Sequence, residues 1–222
     1  MMTSPALPRL LAISDGSAAP PPDAASGETP TLPADLIAWL GQLRAAGPLA
    51  LQLREKQLDD RALFQLALAL RRHLGDALPL VINGRADVAL AAGVAGVHLP
   101  AAGVPVAALR RRFGSRLWLG CSTHHPDEVA QAAQDGADYV TFGPVFPTPS
   151  KAAYGAPPGL DGLRQAAAHG LPVFALGGVC AENLPQVAAA GAYGAAGIRV
   201  FQYPETLRSL AASAAACWPA HA

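Results

Sequence analysis

The feature that most limits what this chain can fold into is a regular alternation. Eight short apolar runs recur along it: RLLAIS, LALQL, LPLVIN, GVHLP, LWLGCS, DYVTFG, LPVFALGG and YGAAGI. Each is too short, and too rich in β-branched residues or too closely bounded by glycine, to be a helix by itself. Between most of them lie Ala/Leu-rich stretches with helical spacing, such as DDRALFQLALALRRHLG, which has Asp at its start and Gly at its end. Strands that are apolar throughout belong to a sheet covered on both faces, and strand–helix alternation implies parallel pairing through right-handed crossovers. Eight such units in 222 residues predict an α/β fold of the compact (β/α)8 type, a TIM barrel, in preference to an open doubly wound sheet.

With 51% hydrophobic and 14% charged residues the chain can bury one large core, so residues 1–222 are expected to form a single barrel domain. Residues 16–33, GSAAPPPDAASGETPTLP, break the rhythm. Their Pro and Ala density predicts a loop insertion after the first strand, either a mobile flap or a disordered insertion. Lys+Arg and Asp+Glu both number 16, which provides no basic surface for a polyanion, so nucleic acid is not an expected partner. The start, MMTSPALPRLLAIS, has neither a signal peptide's regions nor a membrane-spanning apolar run, and a cytoplasmic protein without a membrane partner is expected. Cys121, Cys180 and Cys217 are far apart, with no CxxC pair, and read as reduced core thiols. Monomer and homo-oligomer are both open.

In a parallel barrel the working residues sit at the C-terminal strand ends, so the sequence locates them. The second strand runs out through Gln52, Arg54, Glu55 and Lys56, and alternation sends Gln52, Arg54 and Lys56 to one side, where they could converge on an anion. The alternative for Arg54 and Lys56 is a pair of solvated loop cations. The third strand ends in Asn83-Gly84-Arg85, the fifth in Ser122-Thr123-His124-His125, and the sixth in Gly143-Pro144 followed by VFPTPSK. Thr148 and Ser150 beside Lys151 suit phosphate oxygens. Gly177-Gly178, read as opening a helix after the seventh strand, lets backbone N–H groups approach a phosphate, and Arg199 at the end of the eighth adds a cation. Such a mouth is built for two anionic groups.

LQLREK, VINGRADVAL, GVHLP, GCSTHHPDEVAQAAQDGADYVTFGPVFPTPSK and PVFALGGVCAENLPQVAAAGAYGAAGI form an ordered set over about residues 49–201 that resembles the thiamine phosphate synthase/TenI superfamily. The resemblance implies a single-domain barrel that binds a thiazole phosphate. In one branch a synthase couples it to hydroxymethylpyrimidine diphosphate with Mg2+; in the other, a TenI-type enzyme aromatises a thiazole phosphate tautomer without a metal. The synthase pattern has Asn-Asp at the third strand and HLGQED after the fourth, whereas this chain has Asn83-Gly84 and His98-Leu99-Pro100-Ala101-Ala102-Gly103. Both carboxylates expected to hold Mg2+ are therefore glycine, as in the TenI branch, and no metal ligand or cofactor is expected unless the synthase reading holds. Gln52, Arg54, Lys56, Asn83, Ser122, Thr148, Ser150 and Lys151 match positions that the synthase uses for the diphosphate, which keeps pyrimidine diphosphate as the alternative partner. Arg199 stands where both branches usually carry Ser.

His124 matches the catalytic His of the TenI-type tautomerase, and imidazole can take and give a proton near neutral pH. Its alternative is a packing role at a helix N-terminus. His125 should point elsewhere, and His98 reads as a satisfied core or rim histidine. Glu55 and Asp87 read as a rim charge and a helix-face charge, while Phe146 and Tyr154 either cover a ring or pack their loop. The expected function is that of a metal-free thiazole tautomerase. A thiamine phosphate synthase is the alternative, and a non-catalytic phosphate-ligand sensor a third reading.

Overall fold

In the computed structural model, which describes residues 7–18, 31–148 and 156–219, the eight apolar runs close on one another as a barrel. The strands are β1 (Leu10–Ile13), β2 (Leu49–Leu53), β3 (Leu80–Asn83), β4 (Gly96–Leu99), β5 (Trp118–Thr123), β6 (Tyr139–Phe142), β7 (Val173–Leu176) and β8 (Gly194–Gly197). All neighbours are parallel, and β8 returns to β1 with Leu10 opposite Ala195. The helices between them are α1 (Ala34–Ala45), α2 (Asp60–Leu74), α3 (Ala86–Ala92), α4 (Val106–Phe113), α5 (Pro126–Gln134), α6 (Gly159–Ala167), α7 (Leu184–Ala189) and α8 (Pro204–Cys217). The (β/α)8 barrel read from the alternation is the fold observed.

The strands are apolar along most of their length because each serves two layers. Side chains alternate across a strand, so Leu10, Ala12, Leu49 and Leu51 pack outward under the helices, while Leu11, Ile13, Ala50 and Val81 join Trp118, Tyr139 and Phe174 inside the barrel. Helix α2 shows how the outer layer is fixed. Asp59 caps it by accepting from the Ala62 N–H at 2.8 Å, and Leu63, Leu66, Leu70 and Leu74 recur on its buried face.

Aromatic rings fill the barrel below its mouth. The Arg9 guanidinium lies 4.1 Å from the centre of the Tyr193 ring, Tyr193 and Tyr139 each meet Phe174 edge-on at 5.5 Å, and Tyr139 stands 5.6 Å from His98. Above this column, at the strands' C-terminal ends, His98 borders open space. Gly120 on β5 makes room for the column, because a β-carbon there would overlap the hydroxyl end of the Tyr139 ring.

Residues 16–18 leave β1 and residues 31–33 lead into α1, with Leu32 buried in the outer layer. The rest of the expected insertion, 19–30, lies outside the described residues. Cys121, Cys180 and Cys217 are free thiols; only Cys121 is fully buried, which pushes its pKa up to about 11, while the other two are half-buried. Among the described residues no helix is long and apolar enough to cross a membrane.

Candidate active site

A cavity of about 670 Å3 opens at the C-terminal ends of the strands, a size suited to a small molecule. Gln52, Arg54, Lys56, Asn83, Ser122, His124, Thr148, Gly177, Gly178 and Arg199 all line it. Ser150, Lys151 and Tyr154 lie outside the described residues.

On one side the chain leaves β2 at Leu53, but the Arg54 N–H donates to Ser14 Oγ at 2.8 Å, and this bond carries the alternation past the strand end. Gln52, Arg54 and Lys56 thus share the cavity side, as alternation predicts. Gln52 is buried; its Nε2 donates to Asn83 Oδ1 at 3.1 Å, and its Oε1 is a buried acceptor with no protein partner among the described residues. Glu55 corrects the sequence reading. It is no rim charge but is 4% exposed, and its Oε2 accepts from the Ala18 N–H at 3.1 Å and Gln57 Nε2 at 2.9 Å. A residue between two cavity-facing cations must face away from the cavity, and here that direction meets the chain leaving β1. Asp87 does sit on the exposed face of α3, paired with Arg85, and that partner holds its carboxyl below the usual range.

His124 follows the last residue of β5. Glu128 Oε2 accepts from the backbone N–H groups of His124 and His125 at 2.6 and 3.3 Å, which pins the turn from β5 into α5. His124 Nδ1 lies 2.5 Å from the Gly143 carbonyl oxygen. A carbonyl can only accept, so Nδ1 carries a proton, and in the neutral imidazole the lone pair is on Nε2. His125 is the N-cap residue of α5 and does not line the cavity.

His98 is the satisfied core histidine that was expected, with a reach the sequence reading missed. Its Nδ1 lies 3.2 Å from Tyr139 Oη and its Nε2 3.0 Å from Ser122 Oγ and 3.4 Å from Thr141 Oγ1. Burial lowers its pKa to about 4, which keeps it neutral. The network joins β4, β5 and β6, so only their register could have announced it: His98 lies opposite Gly120, and Ser122 opposite Thr141.

The opposite wall needs two corrections. Gly177 and Gly178 do not open a helix; their φ angles of 92° and 68° are outside the right-handed helical region, and α7 begins only at Leu184. Asn183 closes the intervening turn, accepting from the Cys180 N–H at 2.9 Å and donating to the Gly178 carbonyl at 2.8 Å. Arg199 stands beyond the end of β8, on a 3₁₀ turn (Arg199–Phe201), exposed at the cavity wall. Phe146 packs against the outer layer and does not line the cavity.

The cavity residues do not fit a protein-held Mg2+. No Asp or Glu is among the described residues lining it, and Asn83 Oδ1 already accepts from Gln52. The two glycines are committed to their conformations: Gly84 has φ +73°, and a β-carbon on Gly103 would come within 2.9 Å of the Pro100 carbonyl oxygen. Mg2+ takes one or two carboxylates in most protein sites, and the described side chains here offer amides, hydroxyls, imidazoles and cations instead.

Residues 25–201 match the family model described as thiamine monophosphate synthase. The chain belongs to the thiamine phosphate synthase/TenI superfamily. Among relatives of this superfamily member, a Geobacter sulfurreducens protein provisionally named a thiamine-phosphate synthase is 49% identical over 165 residues, 73% of this chain and 77% of that one. The thiamine-phosphate synthase of Chloroflexus aurantiacus is 44% identical over 154 residues, covering 68% of this chain and 70% of its own. Among solved structures, the thiamine phosphate pyrophosphorylase from Pyrococcus furiosus superposes with a TM-score of 0.75 at 25% identity, over 94% of this chain and 96% of its own. Membership of the thiamine phosphate synthase/TenI superfamily places the protein in thiamine biosynthesis.

Proposed function

We propose that the protein isomerises a thiazole phosphate carboxylate by proton transfer through His124, with no metal held by the protein. The observation that carries this reading is the Nδ1–H bond to Gly143, which leaves the Nε2 lone pair of a cavity-lining imidazole as a base. Nε2 takes the proton from a ring carbon, and the released electron pair moves into the ring system. The same Nε2–H then returns the proton to the far end of that system, so no co-reactant is consumed. While His124 is charged, the Gly143 carbonyl stabilises the imidazolium by accepting from Nδ1–H. The Gly177-Gly178 turn and Arg199 receive the phosphate, and Arg54 and Lys56 receive the carboxylate. The test is aromatisation of the tautomer in EDTA, followed by ultraviolet absorbance. Turnover is expected to persist in EDTA, and activity that appears only after adding Mg2+ contradicts it.

A second reading, transfer of the thiazole phosphate onto hydroxymethylpyrimidine diphosphate, is supported by the names of the relatives, which speak for it more directly than for the isomerase. The unpartnered Gln52 Oε1 also supports it, as an acceptor for a ligand N–H on the wall opposite the glycine turn. Under this reading the metal would be held by the diphosphate and water.

A further inference from the structure

We infer that Tyr139 and His98 are positioning residues that fix Ser122 as a hydrogen-bond donor into the cavity. The inference rests on the reading of the cavity as an anion site, and starts from the one phenol in the barrel interior that touches a histidine.

Tyr139 is 1% exposed and does not line the cavity. Its Oη has one hydrogen-bond partner among the described residues, His98 Nδ1 at 3.2 Å. Burial raises the phenol's pKa, so the O–H keeps its proton and requires an acceptor. That acceptor is the Nδ1 lone pair. His98, being neutral, then carries its proton on Nε2, which faces Ser122 Oγ at 3.0 Å. A hydroxyl that accepts from Nε2–H cannot also donate to it, so the Ser122 proton is directed elsewhere, and Ser122 lines the cavity. The other tautomer would leave the Tyr139 O–H buried with no acceptor. Thr141 does not reverse the choice, because it too lines the cavity and can direct its own hydroxyl there. A serine free to rotate could donate inward to histidine; Tyr139 removes that option before any ligand arrives. A phosphate or carboxylate oxygen therefore meets an oriented O–H.

The experiment reads the imidazole directly. Long-range 1H–15N correlation spectra of histidine-labelled, ligand-free protein are expected to show His98 with Nε2 protonated and Nδ1 bare. A resonance pattern with Nδ1 protonated overturns the inference. Tyr139→Phe is expected to shift His98 away from the pure Nε2–H form and to weaken binding of inorganic diphosphate by about three- to tenfold, the value of one hydrogen bond. Ser122→Ala should weaken it at least as much, and the double variant no further than Ser122→Ala alone. Losses that add, or a Tyr139→Phe variant with unchanged tautomer and affinity, overturn the positioning role. Wild-type protein that shows the Nε2–H tautomer but no affinity for diphosphate would instead count against the cavity as an anion site, so the two failures separate.

Discussion

At the scale of single residues, two substitutions separate chemistry from binding. His124→Ala removes the base without touching Arg54, Lys56 or the glycine turn, so turnover should fall by about 10²–10⁴ while affinity for the thiazole phosphate is kept. Steady-state kinetics beside calorimetric titration would show this split; wild-type turnover in the variant would move the proton to another group. His125→Ala, at the N-cap of α5 and away from the cavity, should leave both values unchanged. Arg54 is half-buried against the cavity wall, and Arg54→Ala should weaken binding of inorganic diphosphate by about 1.5–3 kcal/mol, the range for hydrogen bonds to charged groups. Unchanged affinity would return Arg54 to the status of a solvated cation.

At the scale of elements, the barrel interior and the helix caps behave differently. Gly120→Ala on β5 drives a methyl group against the hydroxyl end of the Tyr139 ring, and overpacking of this kind costs about 1–3 kcal/mol. Urea unfolding should register that loss, whereas a silent Gly120→Ala would mean that Tyr139 can leave its place. Strand and helix identities were legible because they are local: LPLVIN is apolar on both faces, and Asp59 and Gly75 bracket α2 within the same stretch of chain. The members of the candidate site were legible too, since Gln52, Arg54 and His124 stand where parallel strands run out. What was not legible depends on contacts between distant segments. Glu55 looked like a rim charge because its partner Ala18 is 37 residues away, and His98 gave no sign of Ser122 and Tyr139 on other strands. Gly177-Gly178 was misplaced for a different reason: a glycine pair fits a helix start and a tight turn equally well, and only the positive φ angles choose.

At the scale of the whole molecule, the buried imidazole couples stability to pH. His98 has a folded-state pKa of about 4 against the ordinary 6.5, so the unfolded chain binds the extra proton first as pH falls. Its contribution is complete above about pH 6.5 and is lost as pH drops towards 4, by up to about 3 kcal/mol for a shift of this size. Denaturant unfolding across that window should show a steeper fall for wild type than for His98→Gln; parallel curves would mean that His98 titrates normally in the fold. The metal enters at the same scale, because the chain has Gly84 and Gly103 where the synthase pattern carries Asp. The most direct measurement supplies the protein with the thiazole phosphate carboxylate tautomer and hydroxymethylpyrimidine diphosphate together, with Mg2+ and with EDTA, and quantifies both products. The account predicts aromatised thiazole phosphate at the same rate in both conditions and no thiamine phosphate. Rapid formation of thiamine phosphate that requires Mg2+ would contradict it and assign the cavity to the transferase.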